Sequence, residues 1–146
     1  MKVLVAIDGS EYSQRALSRL GEFLPAKTDE VVLVNVSPNP AVGAVGLVGP
    51  PYIDYAALSE QLRAEGAAVL SQGAEVVSRG GYSVRQVFRE GDPATEILEL
   101  AQSEAVGLVV VGSHGRTGLR RFLLGSVSDK VMTHAPCSVL VIKHPQ

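Results

Sequence analysis

Residues 108–128 read LVVVGSHGRTGLRRFLLGSVS, and the order of residue types within them decides the fold. Leu108, Val109, Val110 and Val111 form a run too short and too uniformly apolar for an amphipathic helix. It is the pattern of a strand covered on both faces in a parallel sheet. The run breaks into Gly112-Ser113-His114-Gly115, passes through nine further residues and reaches Gly125-Ser126, where a helix is expected to begin and to continue to about Thr133. A polyphosphate needs several backbone N–H groups converging on it without Cβ atoms in the way, and a helix N-terminus adds free donors and a favourable dipole. Gly112, Gly115, Gly125 and Ser126 are the candidates for that geometry. The Ser126 hydroxyl is a further donor, and Arg116, Arg120 and Arg121 bring positive charge into the loop. Taken one at a time, these residues read more simply as a strand-to-helix turn with a solvated basic face.

The same alternation extends in both directions. Residues 2–8 are a β-branched apolar run ending in Asp8-Gly9-Ser10, after which Tyr12, Ala16, Leu17, Leu20 and Leu24 recur at helical spacing. Residues 31–36 form a second apolar run, and residues 37–51, with four of the eight prolines and three glycines, can sustain neither helix nor ladder. A loop of that length is often functional. Tyr55, Leu58, Leu62, Val69 and Val76 mark a long helix over residues 53–79, weakened at Gly66 and Gly73. Residues 82–89 read as a strand whose Arg85 and Arg89 suit a sheet edge. Asp92-Pro93 then supplies an N-cap and first-turn proline for a helix to about Ser103, and residues 138–142 form the last strand. Five strands alternating with helices imply an α/β fold, Rossmann-like, with a parallel sheet and helices on both faces, and the strand order 3-2-1-4-5 is the one expected for it. Ligands of such sheets bind beyond the strand carboxyl ends, where the winding reverses, which draws attention to Asp8 and Gly112.

With 146 residues, 46% hydrophobic and 19% charged, the chain is expected to form one domain spanning residues 1–146 without disulfides or metals. Thirteen basic against fifteen acidic residues give a formal charge of −2, so no broad positive field is available for a nucleic-acid backbone. Asp8 interrupts the first apolar run, which reads as a strand and not a signal peptide, and no run is long enough to span a bilayer. A single cysteine, Cys137, is compatible with a reducing compartment, and a cytoplasmic location is expected.

The stretch GSHGRTGLRRFLLGSVSDKV resembles the ATP-binding motif of the universal stress protein family, G-x-x-G, nine residues, G-[ST], at every motif position. The opening VLVAIDGSEYSQRAL and the closing APCSVLVIK resemble the family's first and last segments. That resemblance implies a five-stranded parallel sheet with adenine near the end of the second strand and phosphates on the glycine loop. By position it places the Val36 backbone against adenine, Asp8 at the ribose, and Ala6 and Ile7 along the pocket wall. Gly112, Gly115, Arg116, Gly125, Ser126 and Val127 fall at the phosphates. ATP is the implied ligand, with Mg²⁺ near Asp8 through water; for Asp8 the alternative is a carboxylate serving the following helix.

Other chemistries find less support. His114 has no Ser-His-carboxylate order around it, and His134 and His144 lack the pairing of a helical metal site. Cys137 reads as a small core hydrophobe. No G-x-x-x-x-G-K-[ST] or kinase signature is present, so at most slow ATP hydrolysis is expected. A phosphoacceptor receiver would need paired carboxylates at the end of the first strand, and a flavin site a hydroxyl-rich loop. A dimeric interaction module without ligand is the remaining alternative. Val139, Leu140, Val141 and Ile142 form an apolar strand that the winding order puts at a sheet edge, so a homodimer through it is expected, as the resemblance also implies. Ordering of residues 37–51 by ATP, presenting a surface to a protein partner, is the corresponding regulatory hypothesis.

Overall fold

The computed structural model describes residues 1–24, 28–40, 54–114 and 124–143. In chain order these form β1 (Lys2–Ala6), α1 (Glu11–Ser18), α2 (Leu20–Phe23), β2 (Glu30–Ser37), α3 (Tyr55–Arg79), β3 (Val84–Glu90), α4 (Pro93–Ser103), β4 (Leu108–Gly112), α5 (Ser126–His134) and β5 (Ser138–Ile142). All strand pairs are parallel, in the order β3-β2-β1-β4-β5, which is the order expected from the sequence.

Side chains alternate across each strand, so every apolar strand feeds two cores. On one face Val3, Val5, Val31 and Leu33 meet Leu17 of α1 and Leu70 and Val77 of α3. On the other, Leu4, Val32, Val34 and Val109 meet Ile97 and Leu100 of α4 and Val131 of α5. Burying each such side chain contributes about 1.5–3 kcal/mol relative to exposure, and that sandwich holds the strand ends in place. Among the described residues no helix is long and apolar enough to cross a membrane.

The helix starts carry their signals in the sequence. Ser10 Oγ accepts from Ser13 N–H at α1, Asp54 from Ala57 N–H at α3, and Asp92 from Thr95 N–H at α4. The helical spacing from Tyr12 to Leu24 does not give one helix. It divides at Arg19 (φ −99°, ψ 0°), whose guanidinium bonds Glu22 and lies 4.9 Å from the Phe23 ring, while Gly21 weakens continuation. The last strand-like residues of the first run, Ile7 and Asp8, lie beyond β1.

Gly66 and Gly73, which weaken α3 by propensity, sit on its buried face. A Cβ at Gly73 would lie 2.7 Å from Ile7 Cδ1, and one at Gly66 would lie 2.5 Å from both Asn35 Oδ1 and Phe88 Cε2. The missing side chains let α3 lie directly on β2 and β3 and on Ile7, just beyond β1. At the opposite end of the sheet Arg85 of edge strand β3 binds Glu30 and Glu104, and Lys2 binds Glu104. The Lys2 bond, with Arg85 beside it, holds the Glu104 carboxyl below the usual range.

Candidate functional site: a crevice beyond β1

β1 stops short of both its neighbours. Its register with β2 ends at Ala6↔Val34 although β2 continues to Ser37, and with β4 it ends at Val5↔Val110 although β4 continues to Gly112. A crevice opens there, at the carboxyl ends of the strands and at the point where the winding reverses. Its volume is about 410 Å³.

The walls follow from the elements around it. Val36, Ile97, Val111 and Val127 supply apolar surface, α3 contributes Leu62, Gly66 and Val69, and Asp8, Glu65 and Asp92 contribute carboxylates. Eight of the ten residues expected at the site, Ala6, Ile7, Asp8, Val36, Gly112, Gly125, Ser126 and Val127, line this one cavity. Gly115 and Arg116 lie outside the described residues, as do Arg120, Arg121 and most of the loop over residues 37–51. Among the described lining residues there is no lysine or arginine.

Backbone polarity at the crevice can be traced from the ladder. Peptide groups of alternate residues point to opposite neighbours. Val31 N–H donates across to Ser83 O of the β3 side at 2.8 Å, and Val34 O accepts from Ile7 N–H of the β1 side at 2.9 Å. Even-numbered residues of β2 therefore face β1, and the Val36 N–H and C=O point into the crevice. The next ladder bond, from Val36 N–H to Ile7 O, is not made; Ile7 O accepts instead from Asn35 Nδ2 at 2.8 Å. That bond fixes the carboxamide, because a flipped amide would set two oxygens against each other. Asn35, 5% exposed, then has its Oδ1 buried without a partner among the described residues. An unsatisfied buried acceptor costs about 1–3 kcal/mol.

The floor on the other side is the start of α5. Its N-cap, Gly125, makes no side-chain cap bond, in contrast to α1, α3 and α4. Gly125 N–H donates to Ser113 O at 2.8 Å, and Ser128 Oγ donates to the same carbonyl at 3.1 Å, so the first turn of α5 is tied to the exit of β4. A Cβ at Gly125 would lie 3.3 Å from His114 Cα and from Ser113 O; glycine permits this close approach. The first-turn amides of Ser126, Val127 and Ser128 are left without a side-chain acceptor at the positive end of the helix dipole.

The remaining candidates resolve into local roles. Asp8 Oδ1 accepts from Ser10 N–H at 2.9 Å, which orients the carboxylate in the turn while the residue, half-buried, still lines the cavity. His114 Nδ1 contacts Ser113 Oγ at 3.1 Å and its ring lies 5.1 Å from Tyr12; Ser113 is 3% exposed and is no accessible nucleophile. Burial pushes the Cys137 thiol up, away from thiolate chemistry. No cluster of metal-ligating residues occurs among the described residues. Sequence reasoning passed over Asn35, Ser113 and Ser128. For Asn35 a signal existed, a lone carboxamide inside the apolar run VVLVNV; for the two serines none did.

Comparison with known proteins agrees with this architecture. Universal stress protein YxiE of Bacillus subtilis is 34% identical over 145 residues, covering 97% of this chain and 98% of that protein. The structure of protein MJ0577 of Methanocaldococcus jannaschii superposes with a TM-score of 0.84 at 28% identity, over 99% of this chain and 96% of that one. An Arabidopsis thaliana universal stress protein with AMP bound shares the fold at 22% identity and a TM-score of 0.70, over 99% and 92% of the two chains. Residues 1–143 match the universal stress protein family as a whole, and the chain belongs to that family.

Proposed function

We propose that the chain binds ATP with Mg²⁺ in the crevice beyond β1 and acts as a nucleotide-dependent regulatory protein, with no committed catalytic cycle. The observation that carries this is the pairing, across one cavity, of the uncapped α5 amides with the inward-facing peptide group of Val36. The amides of Ser126 and Val127 and the Ser126 hydroxyl suit phosphate oxygens. Val36 offers one donor and one acceptor side by side, complementary to the edge of adenine, between the apolar side chains of Ile97, Val111 and Val127. The AMP-bound relative of the same fold is consistent with an adenine nucleotide as the ligand class.

Asp8, Glu65 and Asp92 around the cavity, with no lysine or arginine among its described lining residues, disfavour a free triphosphate. A divalent cation would neutralise phosphate charge and take oxygen ligands, with Asp8 as its neighbour through water. Calorimetric titration of nucleotide-free protein tests this directly. Mg-ATP is expected to bind saturably, ATP in excess chelator at least ten-fold more weakly, and Gly125→Val, whose side chain would press on His114 and the Ser113 carbonyl and displace the start of α5, to lose at least ten-fold in affinity while remaining folded by circular dichroism. Absence of wild-type binding, or an unchanged Gly125→Val titration, overturns the assignment.

Association of two copies through β5 belongs to the same proposal. Val139, Leu140 and Val141 are half-buried in an edge strand with an unpaired outer side.

A further inference from the structure

On the footing of the nucleotide site above, we propose that Asn35 is its positioning residue: its carboxamide occupies the Ile7 carbonyl in place of the ladder donor and so keeps the Val36 peptide group free for the base.

A regular ladder would give the Ile7 carbonyl a different donor from the one it has. Ile7 N–H already bonds Val34 O, so the regular continuation of the β1·β2 ladder would bring Val36 N–H to Ile7 O. The side chain one residue earlier makes that bond instead, at 2.8 Å, and the β1·β2 register ends at Ala6↔Val34. The crevice owes its open flank to this exchange, because β2 itself continues, paired with β3, to Ser37↔Glu90.

The arrangement is poor as structure alone. Oδ1 of Asn35 is buried with no partner among the described residues, held over α3 at a point where only the absence of a side chain on Gly66 leaves room for it. A leucine would fill this apolar surrounding without an orphaned oxygen, and its loss of the Ile7 bond would be made good by Val36 N–H. A residue retained for folding would not be expected to have these properties; one that withholds a backbone donor from the sheet would.

The consequence is discrimination at the base edge. With its peptide group free, Val36 accepts from an exocyclic amine and donates to the neighbouring ring nitrogen; a base with a carbonyl in place of the amine would face Val36 O with another acceptor. Wild-type protein is therefore expected to bind Mg-ATP at least ten-fold more tightly than Mg-ITP. Asn35→Leu is expected to lose at least ten-fold in Mg-ATP affinity and to bring the ATP/ITP ratio towards one, without lowering the urea midpoint. A purely structural role would lower the midpoint and leave the ratio unchanged.

Amide hydrogen exchange in the nucleotide-free wild type supplies a test independent of the variant's folding. Val36 N–H is expected to exchange much faster than Val34 N–H and to become protected when Mg-ATP is added. Equal protection of the two amides before nucleotide is added overturns the proposal, as does an Asn35→Leu protein that keeps the wild-type affinity and ATP/ITP ratio; in both cases the nucleotide site itself stands. A wild type that binds no Mg-ATP removes the site and the role of Asn35 together.

Discussion

A glycine in a helix is usually a defect, and at Gly73 the protein uses it as a fitting. Replacing an interior helical glycine by alanine normally stabilises by about 1 kcal/mol. Gly73 faces Ile7 Cδ1 at 2.7 Å, Leu33 Cδ1 at 3.2 Å and Leu17 Cδ1 at 3.3 Å from a would-be Cβ, so a methyl group there must displace the buried Ile7 side chain and crowd those of Leu33 and Leu17. Overpacking of that kind costs about 1–3 kcal/mol, enough to reverse the sign. Gly73→Ala is expected to lower the urea midpoint, whereas Gly21→Ala, with nothing within 4 Å of its would-be Cβ, should leave it unchanged or raise it. The sequence shows the two glycines of α3 as weak points of a helix, and propensity alone cannot say that Ile7, β2 and β3 lie against them. Asn35 escapes for the same reason: its partner, the Ile7 carbonyl, is 28 positions away in the chain.

At the scale of elements, those with local causes are legible and those with tertiary causes are not. Asp92-Pro93 announces the start of α4 because capping is a contact within four residues, and the apolar runs of β2 and β4 announce buried strands because burial on both faces favours apolar residues at nearly every position, Asn35 being the exception in β2. The early end of β1 depends on a bond to a residue 28 positions away, and the break at Arg19, though its contacts with Glu22 and Phe23 are local, leaves the apolar spacing unchanged, so spacing carried through both. The α4 cap also gives a pH signature. Asp92 Oδ2 accepts from Thr95 Oγ1 at 2.8 Å and from Thr95 N–H at 3.0 Å, and the side-chain bond first, then the backbone bond, holds the carboxyl below the usual range. Since the folded value lies below the unfolded one, the contribution is fully present above the unfolded value and is lost as pH falls through the folded value. Asp92→Ala is therefore expected to cost about 1 kcal/mol near neutral pH and progressively less as acid protonates the wild-type carboxyl. Urea titrations of both proteins from pH 7 to pH 3 check this; a difference independent of pH would remove the cap as its source.

For the whole molecule the question is what becomes of the β5 edge. The sheet has two edges, and they are treated differently. β3 carries Arg85 and Arg89, and Arg85 is tied into the Glu30 and Glu104 pairs, so that edge is charged against stray pairing. β5 is apolar along Val139, Leu140, Val141 and Ile142 and, among the described residues, pairs with β4 as its one neighbouring strand. Ser113 N–H donates to Ile142 O at 2.9 Å, so even-numbered residues of β5 face β4 and the Val139 and Val141 peptide groups face outwards. Val141→Pro thus removes an outward N–H without removing a β4 ladder bond, a substitution that edge strands tolerate. If two copies pair through β5, sedimentation at micromolar concentration should show a dimer for the wild type and a monomer for Val141→Pro, with the monomer still folded. A wild-type monomer would leave the apolar edge without this partner, and a dimeric Val141→Pro would move the interface away from the β5 backbone. Because β5 borders β4, whose exit through Ser113 anchors the first turn of α5, dissociation is expected to weaken Mg-ATP binding if the proposed site and interface are coupled. Equal affinity in the monomer would show the two to be independent.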